Sequence, residues 1–295
     1  MDNKSVPRPF LKWAGGKRQL LPVLLQSIPE QFEAYHEPFL GGGALFFALM
    51  RKNKIKKAFL SDINCELIET YQAIRDIPNE VLALLRNYPY SKEFFYALRS
   101  RDRNSLSLAE RAARMIYLNK TCYNGLYRVN KKGQFNVPFG RYKNPKYYDP
   151  ENILAVSQSL QGVWLECASF EIVLQNASPG DFVYFDPPYI PKSPTSSFTS
   201  YTSTQFSLRE HEQLRDVCLE LNQRNVKVLL SNSYTEYIFD LFENTDFEIY
   251  VTYSNRFINS KPTKRGKIPE VLIANYSFTR QMRLLEQANT YTTYS

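Results

Sequence analysis

The chain is poor in the residue types that build most metal and nucleophile chemistry. Histidine occurs twice, at His36 and His211, which argues against a histidine-rich metal centre and against a Ser-His-Asp triad. The four cysteines, Cys65, Cys122, Cys167 and Cys218, stand singly with no Cys-x-x-Cys pair. They suggest neither a disulfide framework nor a zinc site, so reduced thiols and no metal are expected. No apolar run reaches the roughly 18 residues of a membrane span, and Met1 to Pro9 lacks a signal peptide's apolar stretch. The expectation is a cytoplasmic protein with no membrane partner. Glycine is also scarce, yet five of the 11 fall between Gly15 and Gly43.

What the chain has in quantity is apolar and basic. At 43% hydrophobic and 15% aromatic, its 295 residues can bury a large core, which excludes a disordered chain. The net charge of +8 is regional: Arg86 to Tyr148 hold 14 Lys or Arg against 3 acids, leaving the remainder at −3. The same segment carries 13 aromatics, and cations interleaved with rings suit both phosphate contact and base stacking. A solvated helical face over an aromatic core is the plainer account. A second basic stretch, Asn255 to Lys267, contains Pro262 and Gly266 and reads as a loop. Ser193 to Gln205, uncharged and rich in Ser and Thr, reads as another loop.

Along the chain, periodicity predicts strands at Tyr35 to Phe39, Lys57 to Ser61, Val163 to Cys167, Asp181 to Phe185 and Val226 to Leu230. Helices are predicted at Ala44 to Met50, Asn64 to Arg75, Phe170 to Gln175 and Leu208 to Arg224, with a hairpin ending in Val271 to Tyr276. Such alternation implies a mainly parallel, doubly wound α/β sheet. Leu84 to Leu118 is helical in period, and Tyr127 to Val137 alternates around Lys132-Gly133 as a β-hairpin does. The middle of the chain is therefore expected to be a helical, basic insertion. The expected division is a discontinuous domain of residues 1–69 and 149–279, an insert of residues 70–148 and a tail of residues 280–295.

Three motifs carry chemistry. Phe10 to Lys17 (FLKWAGGK) fails as a P-loop, because Leu11 and Arg18 stand where glycine and Ser or Thr are needed. What remains is a tight turn beside a ring and a cation, either purely structural or suited to a ligand with a π-face and a carboxylate. Glu37 to Gly43 (EPFLGGG) follows a predicted strand and opens a helix, with Asp62 at the end of the next strand placed to bind a ribose. Asp181 to Tyr189 (DFVYFDPPY) is an apolar strand ending in Asp186-Pro187-Pro188-Tyr189. Two prolines fix the backbone where the strand leaves the sheet, and Asp186, the Pro187 carbonyl and the Tyr189 ring fit a planar amine such as a nucleobase NH₂.

Taken in order, FLKWAGGK, EPFLGGG, SDIN, YNGLYRVN, FNVPFGRYK and DPPY resemble the Dam-like, α-group DNA adenine N6-methyltransferases that use S-adenosylmethionine and read GATC. The resemblance runs from Phe10 to Tyr276. It implies a Rossmann-like methyltransferase fold with an inserted helical DNA-recognition domain, double-stranded DNA as partner, and no assigned role for the tail. It also allows a companion restriction endonuclease acting on the same site. It implies cofactor contacts at Trp13, Lys17, Phe39, Gly41, Asp62, Ser169, Phe170 and Asp186, and catalytic roles for Asp186, Pro187, Pro188 and Tyr189. For DNA it implies Lys12, Tyr123, Asn124, Leu126, Arg128, Asn130, Pro138 and Tyr142, with Arg128 suited to guanine O6 and N7. Methylation of RNA guanine N2 or cytosine N4, and a non-catalytic DNA-binding protein retaining the fold, are the alternatives.

Overall fold

The computed structural model describes residues 6–17, 19–190, 206–255 and 267–277. The loop at Ser193 to Gln205, residues 256–266 of the second basic stretch and the tail from Arg280 lie outside the described residues.

Seven strands form one sheet: β1 (Tyr35–Glu37), β2 (Ala58–Asp62), β3 (Trp164–Cys167), β4 (Phe182–Phe185), β5 (Lys227–Ser233), β6 (Glu248–Asn255) and β7 (Lys267–Ala274). Their order is β3-β2-β1-β4-β5-β7-β6. The first five are parallel, and β7 runs antiparallel between β5 and β6. Strand β1 lies between β2 and β4, so the chain winds outward in opposite directions from it. In such sheets ligands bind beyond the carboxyl ends of the strands, at that reversal.

Buried strands explain the continuous apolar runs. All four residues of β4 are buried, and their alternation divides the core. Phe182 and Tyr184 join Tyr35, Phe46, Phe47 and Tyr71 on one face, while Val183 and Phe185 meet Leu214, Val228 and Leu230 on the other.

The helices are α1 (Leu21–Ser27), α2 (Ala44–Arg51), α3 (Cys65–Asp76), α4 (Pro78–Asn87), α5 (Lys92–Ser100), α6 (Leu108–Thr121), α7 (Pro150–Ser159), α8 (Val173–Asn176), α9 (Leu208–Gln223) and α10 (Glu236–Phe242). Asn64 caps α3 by accepting from Leu67 N at 3.1 Å. Capping boxes start α6 at Ser107 and α9 at Ser207. Phe95 of α5 and Tyr117 of α6 share the core that packs on the sheet through α3.

Three expectations are modified. Phe170 to Gln175 begins with a 3-10 turn, Phe170–Ile172, before α8. The stretch from Tyr127 to Val137 turns back as foreseen but carries a single bridge, Val129 to Phe135. Asn130 fastens the tip: its Oδ1 accepts from Lys132 N at 2.9 Å and Gln134 N at 3.0 Å, beside the cross-strand backbone bonds from Asn130 N to Gln134 O at 2.9 Å and from Asn136 N to Arg128 O at 3.0 Å. Finally, Cys65 and Cys167 form a disulfide, contrary to the expectation of reduced thiols. Their sequence separation of 102 hides a Cα separation of 5.0 Å, because Asp62 of β2 pairs with Cys167 of β3 and Cys65 opens the next helix. Cys122 and Cys218 are free and buried.

Candidate active site

Asp186 follows the last residue of β4, where the prolines carry the chain out of the sheet. Its carboxylate receives Lys17 Nζ at 2.8 Å and Ser231 Oγ at 2.9 Å, and Ser231 in turn meets the Tyr184 hydroxyl at 3.0 Å. Lys17 is itself buried, an uncommon state for lysine that its partners explain. Its Nζ also donates to the Tyr189 hydroxyl at 2.7 Å and lies 4.0 Å from that ring's centroid. Tyr189 donates to Glu270 Oε2 of β7 at 2.9 Å. Burial pushes the Asp186 carboxyl above the usual carboxylate range, and Lys17 and Ser231 oppose the shift.

Two strands away from β4, on the far side of β1, Asp62 closes β2. Its Oδ2 accepts from Gly41 N at 3.0 Å and its Oδ1 from Asn64 N at 2.9 Å. Burial raises its pKa against those two amides. Gly41 has φ +47°, and a Cβ there would stand 2.7 Å from Trp13 Cδ1, so the glycine lets the indole pack on the backbone. Phe39 stacks on Phe170 with centroids 5.6 Å apart and planes at 20°. Ser169 is exposed and hydrogen-bonds Glu171. Glu37 is buried beneath this loop, held by the Tyr35 hydroxyl at 2.8 Å. Burial, then the charges of Asp186 and Asp62, raise it from 4.5 to about 8.

The structure thus joins Trp13 to Gly41, Gly41 to Asp62, Phe39 to Phe170 and Lys17 to Asp186. A half-buried carboxylate clamped by backbone amides, a near-parallel aromatic pair and a buried cation suit, respectively, ribose hydroxyls, an adenine ring and an amino-acid carboxylate. These residues fit S-adenosylmethionine. Among the described residues, no group of three or more His, Cys, Asp or Glu is arranged to hold a metal, and no helix is long and apolar enough to cross a membrane.

The DNA candidates form a second cluster at the end of α6. Tyr123 is 55% exposed and Leu126 42%, so both rings and methyls face outward where burial would be the default. Tyr123 N binds the Pro138 carbonyl at 2.8 Å, and Asn124 takes a left-handed φ of 55°. Lys12 Nζ lies 4.6 Å from the Tyr142 ring centroid. Gly125 takes a left-handed φ of +65°, and a Cβ there would run into the Lys12 side chain. Arg128 projects from the hairpin, its Nε donating to Asn136 Oδ1 at 2.7 Å.

Four contributing residues are not among the predicted site residues. Asn119 clamps the Lys12 backbone with two 2.7 Å hydrogen bonds, and Asn136 holds Arg128. Ser231 and Glu270 support Asp186 and Tyr189. Ser231 was findable, since polar residues (SNS) end an otherwise apolar strand; Glu270 has no such signal.

A mainly parallel sheet of this order, with an amide-clamped acid at the end of β2 and an acid before two prolines at the end of β4, is the framework of a Rossmann-like methyltransferase fold. The D12 class N6 adenine-specific DNA methyltransferase family matches residues 13–257. The chain is 46% identical over 282 residues to the type II methyltransferase M1.LlaDCHI of Lactococcus lactis subsp. cremoris, covering 93% of this chain and 97% of that protein. It is 44% identical over 288 residues to the type II methyltransferase M.MjaIII of Methanocaldococcus jannaschii, covering 91% and 99%. The DNA adenine methylase of Escherichia coli is 34% identical over 269 residues, covering 90% and 94%. The chain belongs to the D12 class N6 adenine-specific DNA methyltransferase family and is an adenine-specific DNA methyltransferase.

Proposed function

We propose that the chain transfers the methyl group of S-adenosylmethionine to N6 of adenine within GATC in double-stranded DNA, by direct in-line attack on a base flipped out of the duplex. The observation that carries this reading is Asp186, held by Lys17 and Ser231 at the carboxyl end of β4, with β1 between it and Asp62, which accepts from Gly41 N.

The cofactor supplies an activated methyl as a sulfonium. The residues that hold it are Trp13, Lys17, Phe39, Gly41, Asp62, Ser169 and Phe170. Adenine N6 is a weak nucleophile because its lone pair is delocalised into the ring. Asp186 and the Pro187 carbonyl accept the two amine hydrogens, which draws the nitrogen toward a tetrahedral, more nucleophilic form and places it for attack. Pro187 and Pro188 fix those acceptors in place. An N6 atom inside a duplex cannot reach the pocket, so the base is extruded and Tyr189 stacks on it.

Residues 70–148 act as the target-recognition insert and residues 1–69 with 149–279 as the catalytic domain. Arg128 reads a guanine edge, Tyr123 and Leu126 wedge against bases, and Lys12, Asn124, Asn130, Pro138 and Tyr142 complete the contact. A companion restriction endonuclease for the same site is part of the proposal, supported by identity to two proteins named type II methyltransferases.

The test is methyl transfer to a GATC duplex with two variants. Asp186→Ala abolishes transfer while DNA affinity persists, because the lost acceptor serves the extruded amine and not the phosphates. Asp62→Ala weakens cofactor binding, at about 1.5–3 kcal/mol for each hydrogen bond to the charged acceptor. Transfer by Asp186→Ala within about tenfold of the parent (about 1.4 kcal/mol) contradicts the mechanism.

A further inference from the structure

Tyr127 has no role in the reading above, yet it touches both halves of the site. Its ring stacks on the Trp13 indole, with centroids 5.0 Å apart and planes at 24°. The same indole packs on Gly41, whose N–H holds Asp62. The Tyr127 hydroxyl donates to Glu66 Oε2 at 3.0 Å. Glu66 lies in the first turn of α3, two residues beyond Asn64, whose backbone N–H is the second donor to Asp62. Glu66 Oε1 meets Arg114 Nη1 at 3.0 Å, and the buried Arg114 donates onward to the carbonyls of Leu98 at 3.2 Å and Arg99 at 3.0 Å. The insert is thus tied to the start of α3 through the Glu66 carboxylate, and Glu69, three residues on, pairs with Arg103 and Arg111. Burial and the Glu66 charge raise the phenol's pKa, so it remains a donor throughout the physiological range.

On the DNA side the connection is covalent. Arg128 is the next residue, and its carbonyl accepts from Asn136 N at 3.0 Å across the hairpin. A shift of the hairpin when Arg128 meets a base edge therefore moves Tyr127, which bears on Trp13 by stacking and on Glu66 by its hydroxyl.

We propose that Tyr127 is a positioning residue that couples target reading by the hairpin to the order of the cofactor pocket. The proposal rests on the assignment of Trp13 and Asp62 to the cofactor and Arg128 to DNA. Such coupling is reciprocal: cognate DNA tightens cofactor binding by the factor with which cofactor tightens DNA binding.

The test uses S-adenosylhomocysteine as an unreactive cofactor probe, titrated by calorimetry into the full chain with and without a GATC duplex. The coupling ratio is the dissociation constant without duplex divided by that with it. A ratio of about five or more is expected for the parent chain, the lower end of typical coupling. Tyr127→Phe keeps the ring and its stacking but loses the bond to Glu66, and its ratio falls toward one. Tyr127→Leu loses both and also weakens cofactor binding without duplex. A second readout is emission from Trp13 in a Trp164→Phe background, which leaves one of the two tryptophans. The duplex-induced change in that emission disappears in Tyr127→Phe. A Tyr127→Phe ratio equal to the parent's overturns the proposal, as does a parent ratio of one with the probe bound normally. A parent chain that does not bind the probe at all overturns the cofactor reading itself, which distinguishes the two failures.

Discussion

Lys17 Nζ stands 2.8 Å from Asp186 Oδ1, an ion pair between residues 169 positions apart that joins the first glycine-rich loop to the end of β4. Burial raises Asp186, and the Lys17 charge pulls it back toward ionisation. A carboxylate that accepts amine hydrogens must be ionised, so Lys17 sets the acidic limb of the rate profile.

Lys17→Met is therefore expected to move the acidic limb of kcat/KM to higher pH and to lower the plateau at least tenfold, about 1.4 kcal/mol. Lys17→Arg restores part of the plateau. A pH–rate profile for the three forms checks this, and an unmoved limb in Lys17→Met would separate Lys17 from the titration of Asp186.

Arg128→Ala is expected to cost about 1–3 kcal/mol against GATC and to relax discrimination at one guanine. Asn136→Ala, which frees the guanidinium from its 2.7 Å anchor, has the same direction with a smaller loss. Lys131→Ala and Lys132→Ala, exposed at the hairpin tip, weaken all sequences alike. Competition between GATC and single-base variants at fixed salt measures all four. Equal loss on every sequence for Arg128→Ala makes it a phosphate contact.

Much of the sheet was legible because buried strands are apolar runs with sharp ends: β4 stops at Asp-Pro-Pro, and β2 stops at Asp62 before the Asn64 cap. The glycines at 41 and 43 and the Asp186 turn were legible for the same reason, since special backbone needs special residues. The partners of these groups were not. Ser231 reaches Asp186 across 45 residues, Glu270 reaches Tyr189 across 81, and Cys65 reaches Cys167 across 102. Such contacts arise from strand order, which spacing along the chain does not encode. The hairpin at Lys132-Gly133 was legible from alternation, whereas the Asn130 side chain binding its own tip was not.

Glu37 gives the fold a pH signature. Its folded pKa is raised from 4.5 to about 8, so its stabilising contribution is fully present below about 4.5 and is lost as pH rises toward 8. The slope from this one proton is at most about 1.4 kcal/mol per pH unit. Glu37→Gln, which cannot ionise, removes that component. Denaturant unfolding of both proteins between pH 5 and pH 8 checks it (about the window between the two pKa values), and identical slopes contradict a neutral Glu37.

The Cys65–Cys167 link closes a loop with a sequence separation of 102. Chain-entropy arguments give about 4.7 kcal/mol for a loop of roughly this length. Reduction, or Cys65→Ser, is expected to lower the denaturation midpoint markedly while the free, buried Cys122 and Cys218 stay unreactive in the native state. Unfolding curves with and without a phosphine reductant check the first part, and thiol labelling checks the second. Coincident curves would show that the link does not hold the native state.

The Asp186 site is proposed to methylate adenine N6 at GATC. Single-molecule sequencing of DNA from methylation-deficient cells expressing the chain reads base, position and context together. The expected result is N6-methyladenine at GATC on both strands, absent when Asp186→Ala is expressed. Methylation at another base, at adenine outside GATC, or at undiminished levels with Asp186→Ala would contradict it.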